Sequence, residues 1–186
     1  MLNNIAALTN SGAPPEVGDY ESIQTYTLGA SQTSVTFSGI AATYKHLQIR
    51  MLARGDTSGY NDTSVLMQLN SDTATNYSFH GLGGDGSSAY AFGSATQANM
   101  NVGGVSATAG LASSYGGVVI DLLDYADTNK YKTVRALGGS DRNGNGTVYL
   151  QSGSWRSTSA VTAIKIYPGN STNWVQYSTF ALYGIK

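Results

Sequence analysis

From Tyr20 to the C-terminus the chain repeats short segments in which apolar and polar residues alternate, each segment stopping at Gly, Asn, Asp or Ser. A period of two sends successive side chains to opposite faces of an extended strand, and it cannot lay one apolar stripe along a helix. Over residues 46–54, Leu47, Ile49, Met51 and Ala53 point one way while Gln48, Arg50 and Arg54 point the other. The same pattern marks 21–28, 34–40, 65–69, 132–138, 147–153, 160–167 and 175–185, and 117–124 reads as a strongly apolar strand. Tyr77 and Phe79 begin a further strand that stops at Gly81, and the pattern predicts about nine strands in all. Thirteen Tyr, with frequent Val, Ile and Thr, agree with a pleated, half-buried surface. Loops of very different length suit Greek-key crossings better than uniform hairpins. The expected fold is therefore all-β, an antiparallel two-sheet sandwich of jelly-roll type.

The chain has 186 residues, which suits one core. Residues 1–19 carry no period and end in Gly12-Ala13-Pro14-Pro15-Glu16-Val17-Gly18-Asp19, where two prolines force an extended path. They read as an N-terminal arm whose Leu2, Ile5 and Leu8 dock on a neighbour, and residues 20–186 read as a single β-sandwich domain. The stretch 81–115 is rich in Gly, Ala and Ser and poor in large apolar residues. It reads as a long loop with one irregular strand over 97–105, the place for partner contacts.

Charged residues make up 11% of the chain, against the roughly 25% usual for soluble domains, and the net charge is −1. That balance gives no electrostatic footprint for nucleic acid or an anionic membrane. The first residues lack the basic and continuous apolar regions of a secretory leader, so synthesis and solubility in the cytoplasm are expected. Cysteine is absent, which excludes disulfides, thiolate metal sites and a Cys nucleophile. His46 and His80 are the only imidazoles, no Gly-x-Ser-x-Gly turn accompanies them, and surface or interface roles are expected for both. Asp121 and Asp124, three apart on a strand, point to opposite faces and cannot act on one substrate. Asp141-Arg142-Asn143-Gly144-Asn145-Gly146 matches the opening half of a calcium loop, but Ser152 stands where a bidentate Glu is needed. The Asn-Gly pairs explain the same residues as a hairpin turn. No cofactor, metal or catalytic activity is expected. Among the aromatics near loops and strand ends, Tyr90, Phe92, Tyr115, Trp155 and Trp174, three uses stay open: stacking on sugars, anchoring an interface, and filling the core.

Five segments carry a resemblance: Tyr20-Glu21-Ser22-Ile23; Thr43-Tyr44-Lys45-His46-Leu47-Gln48-Ile49-Arg50; Asn76-Tyr77-Ser78-Phe79-His80; the stretch from Asp121-Leu122-Leu123-Asp124-Tyr125 through Lys130-Tyr131-Lys132-Thr133-Val134-Arg135; and Ser178-Thr179-Phe180-Ala181-Leu182-Tyr183-Gly184-Ile185-Lys186. Together they resemble virion structural proteins encoded by marine bacteriophages, cyanophages among them. The resemblance implies a place on the virion, assembled in the host cytoplasm, and no catalytic pattern. It suggests a capsid cement or decoration protein bound to the major capsid protein from outside, as a homo-oligomer, with a trimer expected. Interface residues on that reading are Leu2, Ile5 and Leu8 in the arm, with His46, Tyr125 and Trp155. The alternative is a tail-fibre or baseplate module that binds host-surface glycan through Trp155 and Trp174.

Overall fold

In the computed structural model, which describes residues 19–170 and 172–186, the alternating segments become twelve strands. They are β1 Tyr20–Thr27, β2 Val35–Ser38, β3 His46–Ala53, β4 Asp62–Leu69, β5 Tyr77–Gly84, β6 Ala89–Gln97, β7 Met100–Ser106, β8 Gly116–Leu123, β9 Lys132–Asp141, β10 Gly146–Trp155, β11 Ala163–Pro168 and β12 Thr179–Ile185. Every pairing between them is antiparallel. An eight-stranded sheet runs β1-β12-β3-β8-β9-β10-β5-β6, and a four-stranded sheet runs β2-β11-β4-β7. From β1 to β5 the chain changes sheet at every step, whereas β5-β6 and β8-β9-β10 are consecutive neighbours in the larger sheet.

One apolar cluster fills the space between the sheets. Leu47, Ile49 and Met51 enter it from β3, Phe180 and Leu182 from β12, and Val65, Met67 and Leu69 from β4, all by alternation. The described residues are thus all-β and sandwich-like, as the period-two pattern predicts.

Two expectations about extent need correction. The stretch 81–115 is not mainly a loop: β5 runs on to Gly84, β6 and β7 follow, and outside the short turns at 85–88 and 98–99 only 107–115 stays irregular. Glycine hid these strands because it makes room for a neighbour's ring. A Cβ at Gly81 would stand 2.5 Å from Phe92, one at Gly83 2.5 Å from Tyr90, and one at Gly104 2.6 Å from Tyr149. The segment is packed, but by side chains that belong to other strands. The strand expected over 175–185 begins only at Thr179, because Tyr177 turns to φ 69° and breaks the extension. Twelve strands replace the expected nine chiefly through β6 and β7.

The hairpin between β9 and β10 turns on Asn143 and Gly144, with φ of 64° and 87°, and Arg142 N–H donates to the Asn145 carbonyl at 2.7 Å. Asp141 Oδ1 accepts the Asn143 N–H at 2.8 Å, so the residues that mimic a calcium loop are spent on the turn. Arg54, nearly buried, holds the irregular 107–115 segment by donating to the carbonyls of Leu111 and Ser114 at 2.7 and 2.9 Å. The arm expected over 1–19, with Leu2, Ile5 and Leu8, lies outside the described residues except for Asp19.

Candidate outer-face binding site

Alternation sends one set of side chains of the larger sheet away from the core, and the ladder registers line them up in rows. One row reads Arg50, Val119, Leu137, Leu150, Leu82, Ala91 across β3, β8, β9, β10, β5 and β6. The adjacent row holds Leu52, Gly117, Gly139, Val148, Gly84 and Ala89. Leu82, Leu137 and Val148 are 59%, 58% and 61% exposed, and Leu52, Val119 and Leu150 are exposed with them. Scattered exposed leucines need no explanation, but a contiguous apolar strip on a soluble surface marks an interaction site.

On its other side the strip is bounded by a polar row, Gln48, Asp121, Arg135, Ser152 and His80. Gln48 donates to Asp121 Oδ1 at 2.8 Å, and Arg135 donates to Asp121 Oδ2 at 2.9 Å. A groove of about 760 Å³ lies on this face, lined by Leu82 and Leu150 of the apolar row, by Arg135, Ser152 and His80 of the polar row, and by Leu123 and Thr133 beyond it. Apolar side chains beside a row of polar ones are the make-up of a binding surface: the first supply area and the second orientation.

Of the residues singled out from sequence, His80 and Phe92 line this groove and Asp121 sits in its polar row, whereas the aromatics assigned to glycan or to an interface lie elsewhere. Trp174 is fully buried, tilted against Phe180 at 5.5 Å between ring centres, with its Nε1 donating to the Ile166 carbonyl at 3.3 Å. Trp155 is 3% exposed and stacked on Tyr77, and its Nε1 donates to Asp72 Oδ2 at 2.7 Å. Neither indole offers a face to a sugar, which corrects the glycan assignment of Trp155 and Trp174, and burial also removes Trp155 from any interface. Tyr125 is likewise fully buried; its hydroxyl donates to the Ala41 carbonyl and accepts the Tyr44 N–H at 3.3 Å. An aromatic ring brings so much apolar area that a position near a turn does not keep it in solvent when its one polar atom finds a partner inside.

His46 is half-buried at the start of β3, where its Nδ1 accepts the Asp124 N–H at 3.0 Å. Asp124, at φ 46° beyond the end of β8, also pairs with Lys45 at 3.2 Å and with Lys130. It belongs to a different cluster from Asp121, as their opposed faces predict. The hydrogen bond from Lys130, then that from Lys45, pulls the Asp124 carboxyl down to about 2. Because the folded value lies below the unfolded one of about 4, the contribution is complete above pH 4 and is lost as pH falls toward 2. Between those pH values Asp124→Asn is expected to flatten the dependence of Tm on pH, and an unchanged profile would show the cluster to be energetically idle.

Sequence reading missed the site itself, although a signal was present. On β8 the run Val118-Val119-Ile120 is apolar on both faces, and on β10 the outward Val148 and Leu150 are more apolar than the inward Thr147, Tyr149 and Gln151. A strand whose outward face is this apolar is covered by something. No family model, curated protein or solved structure matches the chain.

Proposed function

We propose that the chain is a non-enzymatic bacteriophage virion structural protein, a capsid cement or decoration protein that seats the outer face of its larger sheet on the major capsid protein. The observation that carries this reading is the apolar row Val119, Leu137, Leu150 and Leu82 with its polar border, a surface made for a large partner rather than for a reaction. The resemblance of segments such as Asp121–Arg135 and Ser178–Lys186 to phage virion proteins supports the particle as the partner. Under this reading the arm, with Leu2, Ile5 and Leu8, is a second attachment.

The finer fold reading belongs with it. β1, β12, β3 and β8 opposite β2, β11, β4 and β7 follow the order of a jelly roll wound from two Greek keys, and the hairpins β5-β6 and β9-β10 widen one sheet. Jelly rolls occur in capsid proteins and in lectins alike, so the strand order supports the fold and the surface decides the function.

The test is co-sedimentation of purified protein with undecorated capsids and, separately, with host-surface polysaccharide. Saturable binding at a fixed copy number per capsid is expected, and Leu150→Asp, which places a charge on an exposed outward position, should weaken it by about tenfold or more. Binding to polysaccharide alone would overturn the capsid assignment.

A further inference from the structure

We propose that the chain forms a two-fold dimer by pairing β6 with β6 of a second copy, joining two eight-stranded sheets into one. Of the four sheet edges among the described residues, three are blunted. β2 is only four residues long; β1 carries Glu21 and a register irregularity after Ser22; and β7 is buried along nearly its whole length. β6 is nine residues, Ala89-Tyr90-Ala91-Phe92-Gly93-Ser94-Ala95-Thr96-Gln97, with no charge and no proline. Natural sheets rarely leave such an edge without a partner, because its free N–H and C=O groups are a template for another strand.

The edge is also bare on both faces. Tyr90 and Phe92 fold back over Gly83 and Gly81 of β5 toward Tyr149, leaving no ring across the edge on the inner side. On the outer side β6 presents only Ala89, Ala91 and Gly93. The Asp85 N–H donates to the Ser88 carbonyl at 3.2 Å, which makes those two a hydrogen-bonded pair. Alternation along an antiparallel ladder then directs the backbone groups of Ala89, Ala91 and Gly93 to the open side.

The pattern of the strand selects a second copy as its occupant. Ala89 to Gly93 reads small, aromatic, small, aromatic, small in either direction. An antiparallel two-fold centred on Ala91 therefore sets Ala91 opposite Ala91 of the second copy, and each Tyr90 opposite the other chain's Phe92, with every residue on its proper face. The straight register from Phe79↔Ser94 to Gly84↔Ala89 spans this segment, and it ends where β6 carries an extra residue and Thr96 turns to φ 59°. Without charge on β6, nothing repels the symmetric partner. The pairing also carries the outer apolar row, Val119, Leu137, Leu150, Leu82 and Ala91, across the axis into its copy. Such an isologous interface closes on itself and stops at two.

Sedimentation velocity over a concentration series tests this on the full chain. Wild type is expected to be a dimer. Ala91→Pro removes an N–H that points to the open edge and none that β5 uses, so it should weaken association at least tenfold while keeping the far-ultraviolet circular dichroism of the folded wild type. Ala91→Lys and Ala91→Glu should each be monomeric alone and dimeric when mixed, because only this register sets position 91 against itself. A wild type that is monomeric or trimeric, or a dimer that persists in Ala91→Lys, overturns the proposal. Capsid binding is read separately: a dimer that ignores capsids leaves this pairing intact, and a monomer that binds them overturns it alone.

Discussion

Trp174→Ala is expected to destabilise the protein by about 3–5 kcal/mol, the range for removing a large buried aromatic, and to lower Tm by roughly 6–20 °C for a chain of this size. Trp174 lies outside any named strand, yet its backbone bridges to Gln32, donating to the Gln32 carbonyl at 2.8 Å and accepting from Gln32 N–H at 3.0 Å. Its indole meets Phe180 in the core, so truncation opens a cavity where the 172–178 segment crosses between the sheets. Rigid strands on either side limit collapse of that cavity, which places the cost toward the upper part of the range. Thermal unfolding followed by near-ultraviolet circular dichroism measures it. If Tm stayed unchanged while binding to polysaccharide was lost, the indole would have to be a ligand platform, contrary to its burial.

The same residue shows how far sequence carries. Alternation identifies the buried face of β3 residue by residue, because that face is wholly apolar and the other is polar except for Leu52. The Asn143-Gly144 turn was equally legible, since few other pairs accept two positive φ angles in succession. What could not be read was packing that depends on a neighbour. The stretch from β5 to β7 looks like loop because its glycines are covered by a neighbouring strand's rings, Gly81 and Gly83 of β5 by Phe92 and Tyr90 of β6, and Gly104 of β7 by Tyr149 of β10. For Trp155 and Trp174 sequence leaves core and surface open, and Tyr125 reads as interface, because burial depends on partners that only the fold supplies: Asp72 and Ala41, each more than eighty residues away, and the Ile166 carbonyl across a turn. The candidate site is a further case: Leu82, Val119, Leu137 and Leu150 come from four strands, and only the register makes them one row.

A second large effect is expected at Asp62, where removing the carboxylate leaves a cation in the interior. Asp62 opens β4 in the smaller sheet and accepts from Arg142 and from Thr147 Oγ1, the latter at 3.1 Å, both in or beside the β9-β10 hairpin of the larger sheet. The Arg142 side chain is nearly buried; it also donates to Ser140 Oγ at 2.5 Å and to Asn145 Oδ1 at 3.0 Å. Asp62→Ala is therefore expected to cost about 3–5 kcal/mol, most of it the penalty of a guanidinium left without its counter-charge. The sign of the pair itself is a separate matter, because taking two ions out of water offsets much of their attraction. Arg142 Nε has no hydrogen-bond partner among the described residues, so the ionic arrangement is incompletely satisfied. An apolar replacement of both residues, Asp62→Leu with Arg142→Met, should for that reason be less destabilised than either single variant. A double-mutant cycle in denaturant reads this directly, with a coupling of about 0.5–3 kcal/mol for groups in one network. Additive losses would mean that Asp62 and Arg142 act independently, and that the tie between the two sheets rests on Thr147 and the core beneath it.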